Sequence, residues 1–334
     1  MPKRFVIPTI AVIAVLMSSS LARAQEGLIG GRVPGAVYDV DKKGVKSGPA
    51  PRRSLAGIWE PAQGQGAGIA GKGALAMLSC KTDSTKPGGW AIDPNPPLTD
   101  TGYATPNCLK PAIEPEYTPL GLERMKAHKP TEGYRMVADA DNNDPLLRWC
   151  DPKGWPRSIL HNYRTSEIFE TPTHIGILYK YQQKFRIIWT DGRALPKDPE
   201  NPAWSNKYAR PPESRWWGYA VGKWVDDYTF VAQTTGFNDD RTWLDNAGLP
   251  QSDAMVVEET YHRVDADHMD VSIKITDPKL YKKPWVALDK FPLRLQPNYV
   301  DMEEMECSQS DQDHYYKLFG DLTGSAADEG TDAK

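Results

Sequence analysis

The 334-residue chain predicts a mainly β fold, an antiparallel meander closing into a β-barrel behind an irregular Pro/Gly-rich N-terminal extension. Three observations lead there. Short runs of alternating apolar and polar residues, each bounded by turn residues, succeed one another between 166 and 276. Proline and glycine number 29 and 27 and interrupt the chain too often for long helices. No extended 3.6-residue apolar period occurs after the first 24 residues. Consecutive hairpins make a meander economical, and closure removes exposed strand edges. A two-sheet β-sandwich has the same patterning and stands as the alternative.

Residues 1–24 have the composition of a secretory signal peptide: Lys3 and Arg4, an apolar run over 5–17, then Ala22-Arg23-Ala24 before Gln25. That run is short for a bilayer span, so no stable membrane span is expected after cleavage. The bacterial style of the signal implies a periplasmic or secreted protein. Cleavage leaves about 310 of the 334 residues, enough to bury a sizeable core. Losing Lys3, Arg4 and Arg23 takes the formal charge from -4 to about -7, an acidic balance with no footprint for nucleic acid. An oxidising compartment lets Cys80, Cys108, Cys150 and Cys307 pair. Three connectivities are open; sequence proximity favours Cys80 with Cys108, which leaves Cys150 for Cys307. Free buried thiols are the alternative, and no C-x-x-C spacing suggests zinc.

Region 25–145 is irregular, with a first strand around Ser54 to Glu60 and one short helix. Gly57 and Trp59 resemble the start of lipocalin-like barrels, which makes a lipocalin-like β-barrel the expected form. Gly64 to Gly73 reads as a mobile loop, and Pro94, Pro96 and Pro97 punctuate the stretch beyond it. Over 117–127 Thr118 can cap a helix, Pro119 suits its first turn, and Leu122 and Met125 share a face. The barrel domain is placed at 146–320 and a disordered tail at 321–334. Its start, 144–157, reads as a proline-bracketed turn. Strands come next at 166–170, 174–182 and 184–190, turning at Gln182-Gln183 and ending at Asp191-Gly192. A polar insertion over 193–215 carries five prolines together with Trp204 and Tyr208. Two hairpins succeed it, 219–225 with 228–234 and 255–263 with 269–276. In the last strand Met269, Val271, Ile273 and Ile275 should face a core, and in its partner Glu259, Tyr261 and Arg263 share one face and Glu258, Thr260 and His262 the other.

The loop at 236–253 exceeds the usual connection length, which marks it as a candidate lid or binding loop. Candidate catalytic residues are Asp240, Asp245, Glu258 and His262, carboxylates and an imidazole able to serve as acid and base if they converge. Candidate ligand-binding residues are Trp204, Trp216, Trp217, Phe237, Asn238, Arg241 and Trp243, flat rings and donors suited to a small apolar or aromatic molecule. The bland alternatives are turn-forming Asp and Asn, solvated carboxylates and aromatic packing. His262 and His268 flank one turn, yet two ligands make no metal site. No G-x-S-x-G, Walker loop, dinucleotide glycine fingerprint or H-E-x-x-H is present, so the sequence implies no cofactor.

The phrases Thr118-Pro119-Leu120-Gly121, Cys150-Asp151-Pro152-Lys153-Gly154-Trp155-Pro156-Arg157, Gly222-Lys223-Trp224, Thr235-Gly236-Phe237-Asn238 and Thr242-Trp243-Leu244-Asp245 resemble those of a large group of uncharacterised exported bacterial proteins. That resemblance implies no activity. Three functions stay in view: an exported barrel binding a small apolar or aromatic molecule in its lumen under the Trp243 loop; a cofactor-free lyase, isomerase or hydrolase with its acid and base in 236–262; or an envelope protein whose aromatic loops meet a partner. The first is the leading expectation.

Overall fold

Nine strands run in sequence order around a closed barrel. They are β1 (Gly57–Pro61), β2 (Ser166–Glu170), β3 (His174–Tyr179), β4 (Lys184–Trp189), β5 (Tyr219–Trp224), β6 (Thr229–Thr235), β7 (Val256–Arg263), β8 (His268–Thr276) and β9 (Trp285–Leu295). The computed structural model describes residues 33–62, 64, 115–129, 142–161, 163–196, 215–245 and 248–319. The expectations for the leader, the 65–73 loop, Pro94 to Pro97, Cys80, Cys108, Trp204, Tyr208 and the 321–334 tail lie outside the described residues.

Closure is as the strand pattern predicts, with one correction to the purely antiparallel meander. A ring with an odd number of strands needs at least one parallel neighbour. Here β4 and β5 supply it, with Ile188 opposite Ala220 and Trp189 opposite Val221, and every other pair is antiparallel. Parallel neighbours cannot be joined by a tight turn. Barrel closure also takes β1 from the N-terminal region, pairing it with β2 and β9.

The sequence pattern misses β9 because Pro292, which has no amide hydrogen to donate, sits within it. Pro292 pairs in regular register opposite Asp270, and a register shift against Val271 to Lys274 of β8, with a positive φ of 47° at Lys290, precedes it in β9. The proline carbonyl still works, accepting from Ala62 N at 2.9 Å.

Alternation sorts the other strands as expected. Met269, Val271, Ile273 and Ile275 point inward with Val257, Phe230, Ile188 and Trp59, all fully buried. The 117–127 helix is α1 (Pro119–Ala127), its first turn capped by Thr118 Oγ1, which accepts from Gly121 N at 3.1 Å. A Cβ on Gly121 would lie 2.1 Å from the Leu280 carbonyl oxygen, so this position seats the helix on the barrel. The expected turn at 144–157 contains two short helices, α2 (Pro145–Trp149) and α3 (Arg157–Leu160), and a further helix, α4 (Gln309–Phe319), comes after β9. Asp144 caps α2 and pairs with Arg157 through Nη1 at 2.8 Å and Nη2 at 2.5 Å, both side chains fully buried. Cys150 and Cys307 form a disulfide with Cα atoms 5.5 Å apart. Gln182 N donates to Met305 O at 2.6 Å beside it, so the segment before α4 is held on the β3–β4 turn. No helix among the described residues is long and apolar enough to cross a membrane.

Candidate functional site

The connections β1–β2, β3–β4, β6–β7 and β8–β9 all lie at one end of the barrel, because these strands alternate in direction. The 236–253 segment packs there as a cap. Phe237, Trp243, Leu244 and Leu249 are buried, and Leu244 N donates to Leu249 O at 2.8 Å. Ser252 N and Oγ donate to Asp277 at 2.8 and 2.7 Å, and Tyr281 OH donates to Pro250 O at 2.6 Å. Burial raises the Asp277 carboxyl above its ordinary range against those hydrogen bonds. The described residues of this long loop are thus anchored to the barrel end at several points.

Asp240 lies in this cap with a positive φ of 49°. Its Oδ1 is 3.5 Å from His128 Nε2 and its Oδ2 is 3.9 Å from Arg124 Nε. His128 Nδ1 sits 2.7 Å from Gly248 O, and because a carbonyl only accepts, Nδ1 carries a proton. The imidazole stacks on Trp243 at 4.6 Å between centroids. His128 is the histidine that sequence reasoning missed as Asp240's neighbour. It is the C-terminal cap of α1, and nothing local connects it to a loop more than a hundred residues away. Arg124 forks on Asp239 at 2.8 and 3.1 Å, and that bond, against partial burial, lowers the Asp239 carboxyl.

The other expected site residues have separate surroundings. Asp245 is buried, accepting from Leu249 N at 3.0 Å, which is a loop-stabilising contact. Phe237 is core, and Asn238 N donates to Arg215 O at 3.2 Å. Trp217 stacks on Tyr179 at 5.0 Å, while Arg241, largely exposed, lies over Trp216 at 5.2 Å and 3.9 Å from Asp151. Burial raises the Asp151 carboxyl, and Arg241 partly opposes this. Glu258 and His262 share the outer face of β7: Glu258 accepts from Lys274 Nζ at 2.7 Å, and His262 Nδ1 is 3.0 Å from Thr229 Oγ1. The partners named for the four candidate acids and bases are thus all different.

Inside the barrel, β4 and β7 meet through a charged pair. Arg186 Nη1 donates to Glu259 Oε2 at 2.8 Å and Nη2 to Oε1, with side chains 1% and 0% exposed. Thr234 Oγ1 and Tyr261 OH donate to the same carboxylate at 2.7 and 2.9 Å, and the guanidinium lies 4.0 Å over the Trp155 ring. Burial opposes the charge on Arg186, but Glu259 outweighs it and raises the guanidinium pKa; burial, then Glu259, pushes the Tyr261 hydroxyl well up. Side chains bordering a water-sized hollow would show accessible area. At this level the lumen is filled by the protein itself.

A cavity of about 570 Å³ lies on the outer wall. Its floor is two rows of outward side chains from β5, β6 and β7: Val221, Gln233 and Glu258 in register, then Lys223, Val231 and Thr260. Gly192, Arg193 and Leu195, which follow β4 in the chain, also line it. Among the expected site residues Glu258 borders this cavity. Comparison with protein-family models, with curated proteins and with solved structures finds no match to this chain.

Proposed function

We propose that the protein is an exported β-barrel that binds a small molecule with an apolar or aromatic body, held in the groove on its outer wall. The observation carrying this reading is the 570 Å³ cavity, which falls within the roughly 300–1,000 Å³ typical of small-molecule sites. Val221, Val231 and Leu195 offer apolar contact, with Gln233 and Thr260 as hydrogen-bonding groups beside them. The packed Arg186–Glu259 level of the lumen favours the wall over the interior. Export rests on the composition of residues 1–24.

The test is fluorescence titration with N-phenyl-1-naphthylamine, an uncharged two-ring probe. Wild type should give saturable enhancement. Val231→Trp fills the floor from an outward position, so it should keep the melting temperature and weaken the probe by about tenfold or more, corresponding to about 1.4 kcal/mol. Absence of saturable binding, or a folded Val231→Trp variant with unchanged affinity, would overturn the reading.

A further inference from the structure

We infer that the wall groove selects anionic ligands, with Lys223 meeting a carboxylate, sulfonate or phosphate attached to the apolar body; this rests on the reading of the groove as a binding site. Among the described residues four charged ones border the cavity, Arg193, Lys223, Glu258 and Glu259, and the Glu259 carboxylate is turned into the barrel and paired with Arg186. Glu258 is neutralised on the neighbouring strand, where Lys274 stands directly opposite it with Nζ 2.7 Å away. Arg193 is engaged on several sides. Its Nε lies 2.9 Å from Asp191 Oδ1, its Nη2 lies 2.6 Å from Oδ2, its Nη1 donates to Tyr219 OH at 3.0 Å, and its guanidinium stacks on Trp189 at 3.6 Å.

Lys223 is different. It is exposed, stands directly opposite Val231 on β6, and its ammonium has neither a hydrogen bond nor an ion pair among the described residues. Among the described residues one uncompensated positive charge therefore sits beside the apolar floor. A ligand lying on Val221 and Val231 places any acid group at its end near that ammonium. Part of the surrounding water is replaced there by protein, so the attraction is stronger than between the same charges in bulk solvent. A cationic head group gains nothing from the lining, since Glu258 already has its lysine.

A matched probe pair tests this. 8-Anilino-1-naphthalenesulfonate has the rings of N-phenyl-1-naphthylamine plus one sulfonate. At low salt the anionic probe should bind several-fold tighter than the neutral one. Lys223→Glu should weaken the anionic probe by about tenfold and leave the neutral probe within about twofold, and added salt should weaken the anionic probe alone because exposed charges are screened. Val231→Trp should weaken both. Equal affinities unaffected by Lys223→Glu would sink anion selection while leaving the groove reading intact. Sulfonate binding that survives Val231→Trp would place the anion site elsewhere and overturn the inference. If neither probe binds saturably, the groove reading itself fails.

Discussion

Replacing Trp243 by alanine removes an indole that is 1% exposed and stacked on His128. The expected cost is about 3–5 kcal/mol, the range for truncating a buried aromatic, read as a fall in the denaturation midpoint. A loss below about 1 kcal/mol would mean that the cap collapses around the gap or is loosely packed. Glu259 makes a second residue-scale prediction. Glu259→Leu strands the Arg186 guanidinium inside the barrel and should cost about 3–5 kcal/mol, whereas Arg186→Met with Glu259→Leu should recover much of that, because a buried ion pair gains little over apolar packing. Equal losses for the single and double variants would show that the network as a whole is required. The inward direction of Glu259 and Tyr261 is legible in the alternation of β7. Their partner Arg186 on β4 is not, because only closure brings those strands across from one another.

Among the elements, β8 is read most directly from sequence, since one face is buried and a one-residue slip would expose all of it. Ile273→Asp should abolish cooperative unfolding by burying an unpaired charge, while the adjacent outward Lys274→Gln should stay within about 0.5 kcal/mol of wild type. A normal melting curve for Ile273→Asp would contradict the register. The N-terminal segment is held by a titratable clasp. His268 Nε2 lies 3.0 Å from Asp39 and Nδ1 lies 2.8 Å from Asp265; Arg294 Nη1 lies 2.8 Å from Asp39, and Asp267 accepts from Ser47 Oγ at 2.5 Å. Burial lowers the His268 pKa, but the bonds to Asp39 and Asp265 outweigh it and leave the pKa above 6.5. A raised histidine pKa stabilises fully below the unfolded value and loses that contribution as pH climbs through the folded one. Amide exchange at 39–47, corrected for intrinsic rates, should therefore speed up as pH rises from about 6 towards about 8.5. The loss should be partial, since Arg294 retains Asp39 when the imidazole is neutral. Equal protection at both ends of the range would remove the switch.

At the scale of the whole molecule, closure joins segments far apart in the chain. Cys150 and Cys307 span 157 residues, so their disulfide restricts the unfolded chain over a long loop. What the chain determines by itself is local: the alternation of β2 to β8, the Thr118 cap and the excess length of 236–253 are consequences of neighbouring residues meeting the periods of strand, helix and turn. Barrel topology and site geometry belong to the tertiary structure. Pro292 conceals β9 until β1 and β8 flank it, His128 comes to Asp240 only when α1 seats on the capped end, and the groove exists only where β5, β6 and β7 lie side by side with Gly192, Arg193 and Leu195 brought up to them. Those are relations between distant segments, and periodicity within a short window contains no information about them.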